Sequence, residues 1–158
     1  MRLTTIITLT LLSLTSFGQS WTGKYQDYFG HELTLNEDST FKFDWRFDLI
    51  HDWSAGQWTV SGRTLKLEFN IIYDTLSRPD KVDSLVLSAD EKSNRITGIE
   101  FAETGLQSGG QNRDRFQDLF TLRVNRLYLA DKNGRPIKSR HRGIWTKKKW
   151  PTFYKKER

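Results

Sequence analysis

Residues Phe41-Lys42-Phe43-Asp44-Trp45-Arg46-Phe47-Asp48 alternate aromatic and charged side chains for eight positions without a break. Successive side chains of a β-strand point to opposite faces. This order therefore sends Phe41, Phe43, Trp45 and Phe47 one way and Lys42, Asp44, Arg46 and Asp48 the other. A helix would scatter the same residues around its circumference. The stretch is predicted to be a strand with one dry face and one wet face. Each buried ring removes roughly 150–250 Å² from water, so these four can seed a core.

The flanking sequence repeats the rhythm more weakly. Trp21, Gly23 and Tyr25 share a parity and predict a first strand. Residues 31–35, with Leu33 and Leu35 inward, meet the aromatic strand through the turn formers Asn36-Glu37-Asp38-Ser39, which makes residues 31–48 a hairpin. Residues 49–54 break the alternation and read as a loop. A second hairpin turns at Ser61-Gly62, with Trp58, Val60, Leu65, Leu67, Phe69 and Ile71 inward. Residues 75–81 read as a polar loop and 82–88 as a strand with Leu85 and Leu87 on one face. Residues 96–101 read as a strand carrying Ile99 and Phe101, and 103–118 as a long aperiodic loop. Two more strands, 119–124 and 126–130, meet at Asn125, and Asp131-Lys132-Asn133-Gly134 turns the chain again. The sum is nine or ten strands at roughly 8–14-residue spacing with no convincing helix, an all-β pattern. Sequential hairpins favour an antiparallel up-and-down meander, and closing it removes exposed edges. A barrel of about 8–10 strands is the expected fold.

Three motifs carry a resemblance. Trp21-x-Gly23-x-Tyr25 is one, and Leu33-Thr34-Leu35-Asn36-x-Asp38-Ser39-Thr40-Phe41 is the second. The third is Gly56-Gln57-Trp58-Thr59-Val60-x-Gly62-x-x-Leu65-x-Leu67. Over residues 20–101 they resemble small exported bacterial lipocalin-like (calycin-type) proteins, although the lipocalin opening usually places Gly before Trp and here the order is reversed. The resemblance implies a barrel and a small apolar ligand, and it transfers no catalytic residue.

Arg2, the apolar or Thr/Ser run from Leu3 to Phe17, and small residues at Ser16 and Gly18 read as a secretory leader over residues 1–18. That leaves an expected barrel domain over 19–134 and a C-terminal segment over 135–158. The apolar run is shorter than the roughly 20 residues a membrane span needs. The chain has no cysteine, which excludes disulfides and a lipidated N-terminal cysteine. The expectation is a soluble periplasmic or secreted monomer that is not lipid-anchored.

Charge is unevenly placed. Residues 132–158 hold 11 of the 25 Lys and Arg but one of the 19 acids, a net of +10 that leaves −4 for the remainder of a +6 chain. Any electrostatic function belongs to this segment. Arg140, Arg142, Lys147, Lys148, Lys149 and Trp150 interleave cations with a ring and are the candidate anion-binding residues. Phosphates and bases suit such a pattern, but export argues against nucleic acid. It favours anionic lipid, lipopolysaccharide or acidic glycan at the envelope. The alternative is a last strand with a solvated end, with Ile144, Trp145, Phe153 and Tyr154 packed back on the barrel.

A second candidate lies beside the aromatic strand. Asp48, His51 and Asp52 are residue types that bind metals or move protons, and Trp53 stands outside the alternation as a ligand-contact candidate. The competing interpretation is a solvated loop. Ser108 to Arg113 offers a glycine-rich anion loop of the same low specificity. No Gly-x-Ser-x-Gly, activated nucleophile or zinc spacing occurs, so neither enzyme chemistry nor a cofactor is expected. Two functions follow. The first is an exported lipocalin-like binder of a small apolar or amphipathic ligand near Trp53. The second is an envelope-associated protein acting through its basic C-terminal segment.

Overall fold

The computed structural model describes residues 21–157 apart from Ser108, Arg113, Arg115 and Ile144, and it leaves out the side chains of Leu106 and Gln107. The predicted leader, the arginine of the glycine-rich loop and Ile144 lie outside the described residues.

The chain builds β1 (Gly23–Gln26), β2 (His31–Leu35), β3 (Thr40–Phe47), β4 (Ile50–Ser61), β5 (Thr64–Asn70), β6 (Tyr73–Ser77), β7 (Ser84–Leu87) and β8 (Arg95–Thr97). Helix α1 (Gly98–Gln107) follows. The chain then continues through β9 (Gly109–Gln111), β10 (Leu119–Arg123), β11 (Arg126–Leu129), β12 (Arg140–Arg142), β13 (Lys149–Pro151) and β14 (Phe153–Lys156). Eight of the strands close a barrel in the order β1-β2-β3-β4-β5-β10-β11-β14, every neighbour antiparallel, with β14 returning to β1. This is the expected meander, interrupted by two insertions. The first, between β5 and β10, forms a lobe with the sheet order β7-β6-β8 and helix α1. The second is the β12–β13 hairpin. Val124 and Asn125, both at positive φ, make the tight turn between β10 and β11.

The alternating strand does what its pattern demands. Phe41 and Phe43 are buried, opposite Leu35 and Leu33 on one side and Gly56 and Ser54 on the other. Phe43 stacks on Phe116 at 4.5 Å and meets Tyr154 and Phe120 edge-on or tilted at 5.8 and 6.1 Å. With Tyr25, Leu65, Leu67, Leu122 and Leu127 these rings fill the barrel centre. Burial fades toward the end of β3, where Trp45 is half-buried and Phe47 exposed. Gly56 is needed where β4 crosses β5. A Cβ there would run into the Glu68 carbonyl and lie 2.9 Å from a Phe41 ring carbon.

Several expectations need correcting. Residues 50–54 are not a loop: β4 begins at Ile50. Its alternation is inverted there. Asp52 and Ser54, opposite Trp45 and Phe43, face the barrel mouth, while Trp53, opposite Asp44, faces outward. Trp53 is nonetheless buried, because β9 pairs in parallel with residues 51–53 and the lobe covers it. Its Nε1 donates to the Ala89 carbonyl at 3.0 Å. Residues 75–81 are not all loop, since β6 runs through Ser77. The strand expected over 96–101 stops at Thr97, where a capping box starts α1. Glu100 N donates to Thr97 Oγ1 at 3.3 Å, and Glu100 Oε2 accepts from Thr97 N at 2.7 Å. Ile99 and Phe101 lie on that helix and are exposed, as are Leu85 and Leu87, and so is Ile71, which was expected inside. The barrel also runs past residue 134, because β14 seals it.

Candidate functional site

The residues proposed beside the aromatic strand do not converge. Asp48 sits exposed at positive φ in the turn between β3 and β4. His51 lies on the outer face, its Nε2 2.7 Å from Asp44 Oδ1. Asp52 lies on the inner face and accepts from Asn112 Nδ2 at 3.2 Å. Trp53 is sealed under the lobe. The alternation of β4 alone puts His51 and Asp52 on opposite faces. Among the described residues no three of His, Asp and Glu gather closely enough to hold a metal ion.

The basic residues do converge. After β11 the turn Asp131–Gly134 is tied down by Asp131 Oδ1, which accepts from Asn133 N at 2.9 Å and Arg135 N at 2.8 Å. The chain leaves the barrel wall, and Ser139 and Thr152 join their hydroxyls at 2.6 Å at the base of a hairpin. Above that base Arg140 pairs with Pro151, His141 with Trp150, and Arg142 with Lys149. The Gly143 N–H donates to the Lys148 carbonyl at 3.2 Å, and Thr146 Oγ1 accepts from Lys148 N at 3.1 Å, which ties these three residues together above the base.

Two such short strands would be marginal alone. The anchor is Trp150, whose ring stacks on Tyr28 at 3.7 Å with 12° between planes. Lys148 Nζ lies 4.2 Å from the Trp150 ring centroid, a cation–π contact. His141 meets Phe29 edge-on at 6.3 Å. One side of the hairpin thus rests on the turn between β1 and β2.

Its charges are unrelieved. Arg142 and Lys149 stand directly opposite one another, an arrangement that destabilises a strand pair. Among the described residues, none of Arg140, Arg142, Lys147, Lys148 and Lys149 lies within ion-pair distance of a carboxylate. In the loop, Trp145 is 90% exposed. The sequence signal for this site was the acid-free run after Asp131. What it did not reveal was the register that sets Arg142 against Lys149.

No family model matches the chain, and neither does any curated protein or solved structure. Among the described residues no helix is long and apolar enough to cross a membrane.

Proposed function

We propose that this protein is an exported surface-binding module, a lipocalin-like barrel used as a scaffold, whose β12–β13 hairpin docks on anionic lipid. The observation that carries this reading is Arg142 held opposite Lys149 with no carboxylate beside either. A stable fold has no need of that pair, since one acid in either position would strengthen the hairpin. A negatively charged surface supplies the missing counter-charge from outside, at about 1 kcal/mol per Lys or Arg close to it. The exposed Trp145 favours lipid over other polyanions, because indole rings concentrate at the boundary between headgroups and hydrocarbon. A leader over residues 1–18 would carry the chain to where lipid headgroups rather than nucleic acids await it.

Co-sedimentation with vesicles tests the reading. The protein is expected to bind phosphatidylglycerol/phosphatidylcholine vesicles and not pure phosphatidylcholine, with binding weakening as salt rises. The variant K147E/K148E/K149E should lose binding, and W145S should weaken it, while both keep the barrel's circular dichroism. Binding indifferent to lipid charge, or undiminished in the triple variant, would refute the proposal.

A further inference from the structure

The barrel centre is filled, so a ligand cannot thread into it; yet one mouth carries a separate open cleft of about 420 Å³ between the β1–β2 turn and the hairpin. Phe29, His31, Trp45, His141, Arg142 and Tyr154 are among its lining residues. The volume lies in the range of small-molecule sites, and half of the lining residues carry rings, set among polar groups that can fix a ligand's orientation.

The rings are held in place. Trp45 Nε1 donates to the Phe29 carbonyl at 2.9 Å, and the Trp45 ring lies 6.0 Å from the His31 ring at 29°. The His31 ring also meets Tyr154 at 6.4 Å. Below them Phe43, Phe116 and Tyr154 block the way inward. A site so shallow and ring-floored suits a flat molecule better than a long chain, which needs depth.

The polar groups select the charge. Asp27 accepts from Phe29 N at 2.8 Å and from His31 N at 2.9 Å, and its second oxygen lies 2.9 Å from His31 Nδ1. Its side chain is almost fully covered, so this carboxylate is already answered. The same contact orients the imidazole and leaves Nε2 as the ring nitrogen without a partner among the described residues. Arg142 has no carboxylate partner and presents a planar fork suited to a bidentate carboxylate.

We propose that this cleft binds a small aromatic carboxylate, its ring against Phe29 and Trp45 and its anionic group at Arg142 beside His141. The site is independent of the lipid-docking reading, although Arg142 serves both.

The three histidines make a built-in test, since His31 and His141 line the cleft and His51 lies on the outer face of the barrel. Titration of the full chain with 2-naphthoate, followed by imidazole NMR signals, should shift His31 and His141 saturably and leave His51 still. Arg142→Gln should weaken 2-naphthoate roughly tenfold or more, as loss of a charge-assisted contact does. It should leave the affinity for uncharged 2-naphthalenemethanol unchanged. The unmoved His51 signal reports that the variant is folded. No shift, equal shifts at all three histidines, an Arg142→Gln affinity equal to the parent's, or tighter binding of dodecanoate would each overturn the proposal. Naphthoate binding lost with vesicle binding intact removes this site alone, and the opposite pattern removes only the lipid reading.

Discussion

On the barrel wall and the lobe beside it, several cations sit against acids, although Arg126 there faces both Arg123 and Lys155. Lys24 Nζ lies 2.8 Å from Glu32, Arg95 is 2.8 Å from Asp83, and Lys42 is bonded to Glu91 across the gap between barrel and lobe. Those partners leave their mark, as the Glu32 hydrogen bond raises the Lys24 pKa and the Glu91 hydrogen bond raises that of Lys42. On the β12–β13 hairpin the same residue types face one another with no acid between them. Rings follow the same division. Phe43 is wholly enclosed by other rings, whereas Trp145 is left in solvent. One region is arranged to hold itself together and the other to be completed by something else.

The largest effect should come from the enclosed side of that contrast. Phe43→Ala removes a ring that touches Phe116, Phe120 and Tyr154 and should lower the unfolding free energy by roughly 3–5 kcal/mol in urea. A loss under about 1 kcal/mol would mean that the barrel centre is not close-packed.

Alkaline titration probes the same centre more gently. Burial pushes the Tyr25 hydroxyl up to about 12, and burial together with the Asp27 charge holds Tyr154 well above the usual tyrosine range. Both pKa values are raised in the folded state. Their stabilisation is therefore complete below about pH 10, the ordinary tyrosine value, and is lost as pH climbs through the folded-state value. Tyr25 alone should account for on the order of 2 kcal/mol between pH 10 and about 12. Urea unfolding measured across that window should show the fall, and Tyr25→Phe should reduce it, leaving the part that belongs to Tyr154. A parent protein whose stability stays level from pH 10 to 12 contradicts the enclosed tyrosines.

The smallest effect tests the hairpin. Arg142→Glu converts the like-charged pair with Lys149 into an opposite one and should raise hairpin stability by about 0.2–1 kcal/mol. Resistance of the 143–148 loop to proteolysis would measure this, while vesicle binding should fall. A variant that is less stable and binds equally well would erase the distinction between the two regions.

How much of this was legible depends on which side of a strand the protein covers. Phe41, Phe43 and Trp45 were readable because β3 has one wet face and one dry one. Trp53 and Ser54 were not, since the lobe makes the outer face of β4 dry and the segment after β9 makes its inner face partly polar. Ser54 Oγ donates to the Asn112 carbonyl at 2.5 Å, a contact made with a residue far along the chain. Helix α1 had a readable start in Thr97-x-x-Glu100, overshadowed by the apolar Ile96, Ile99 and Phe101 that suggested a strand. The concentration of cations after Asp131 was readable directly from composition. The alternative reading of that segment's end as a last strand packed back on the barrel holds for Phe153 and Tyr154 in β14. What the sequence did not show is that this strand closes the barrel, because Tyr154 finds its place against Leu127 and ring partners on other strands.

The closing seam between β1 and β14 has a consequence for how the protein comes into being. Tyr25 pairs with Lys156, so the first wall strand waits for a segment far along the chain before its outer hydrogen bonds are met. Until then the nascent ring is an open cylinder with two raw borders, β1 and β11, each able to recruit a stray strand from a neighbouring molecule. A joint of such long sequence separation also slows the search for the native arrangement. Shielding of those borders during biosynthesis is thus a demand written into the seam itself.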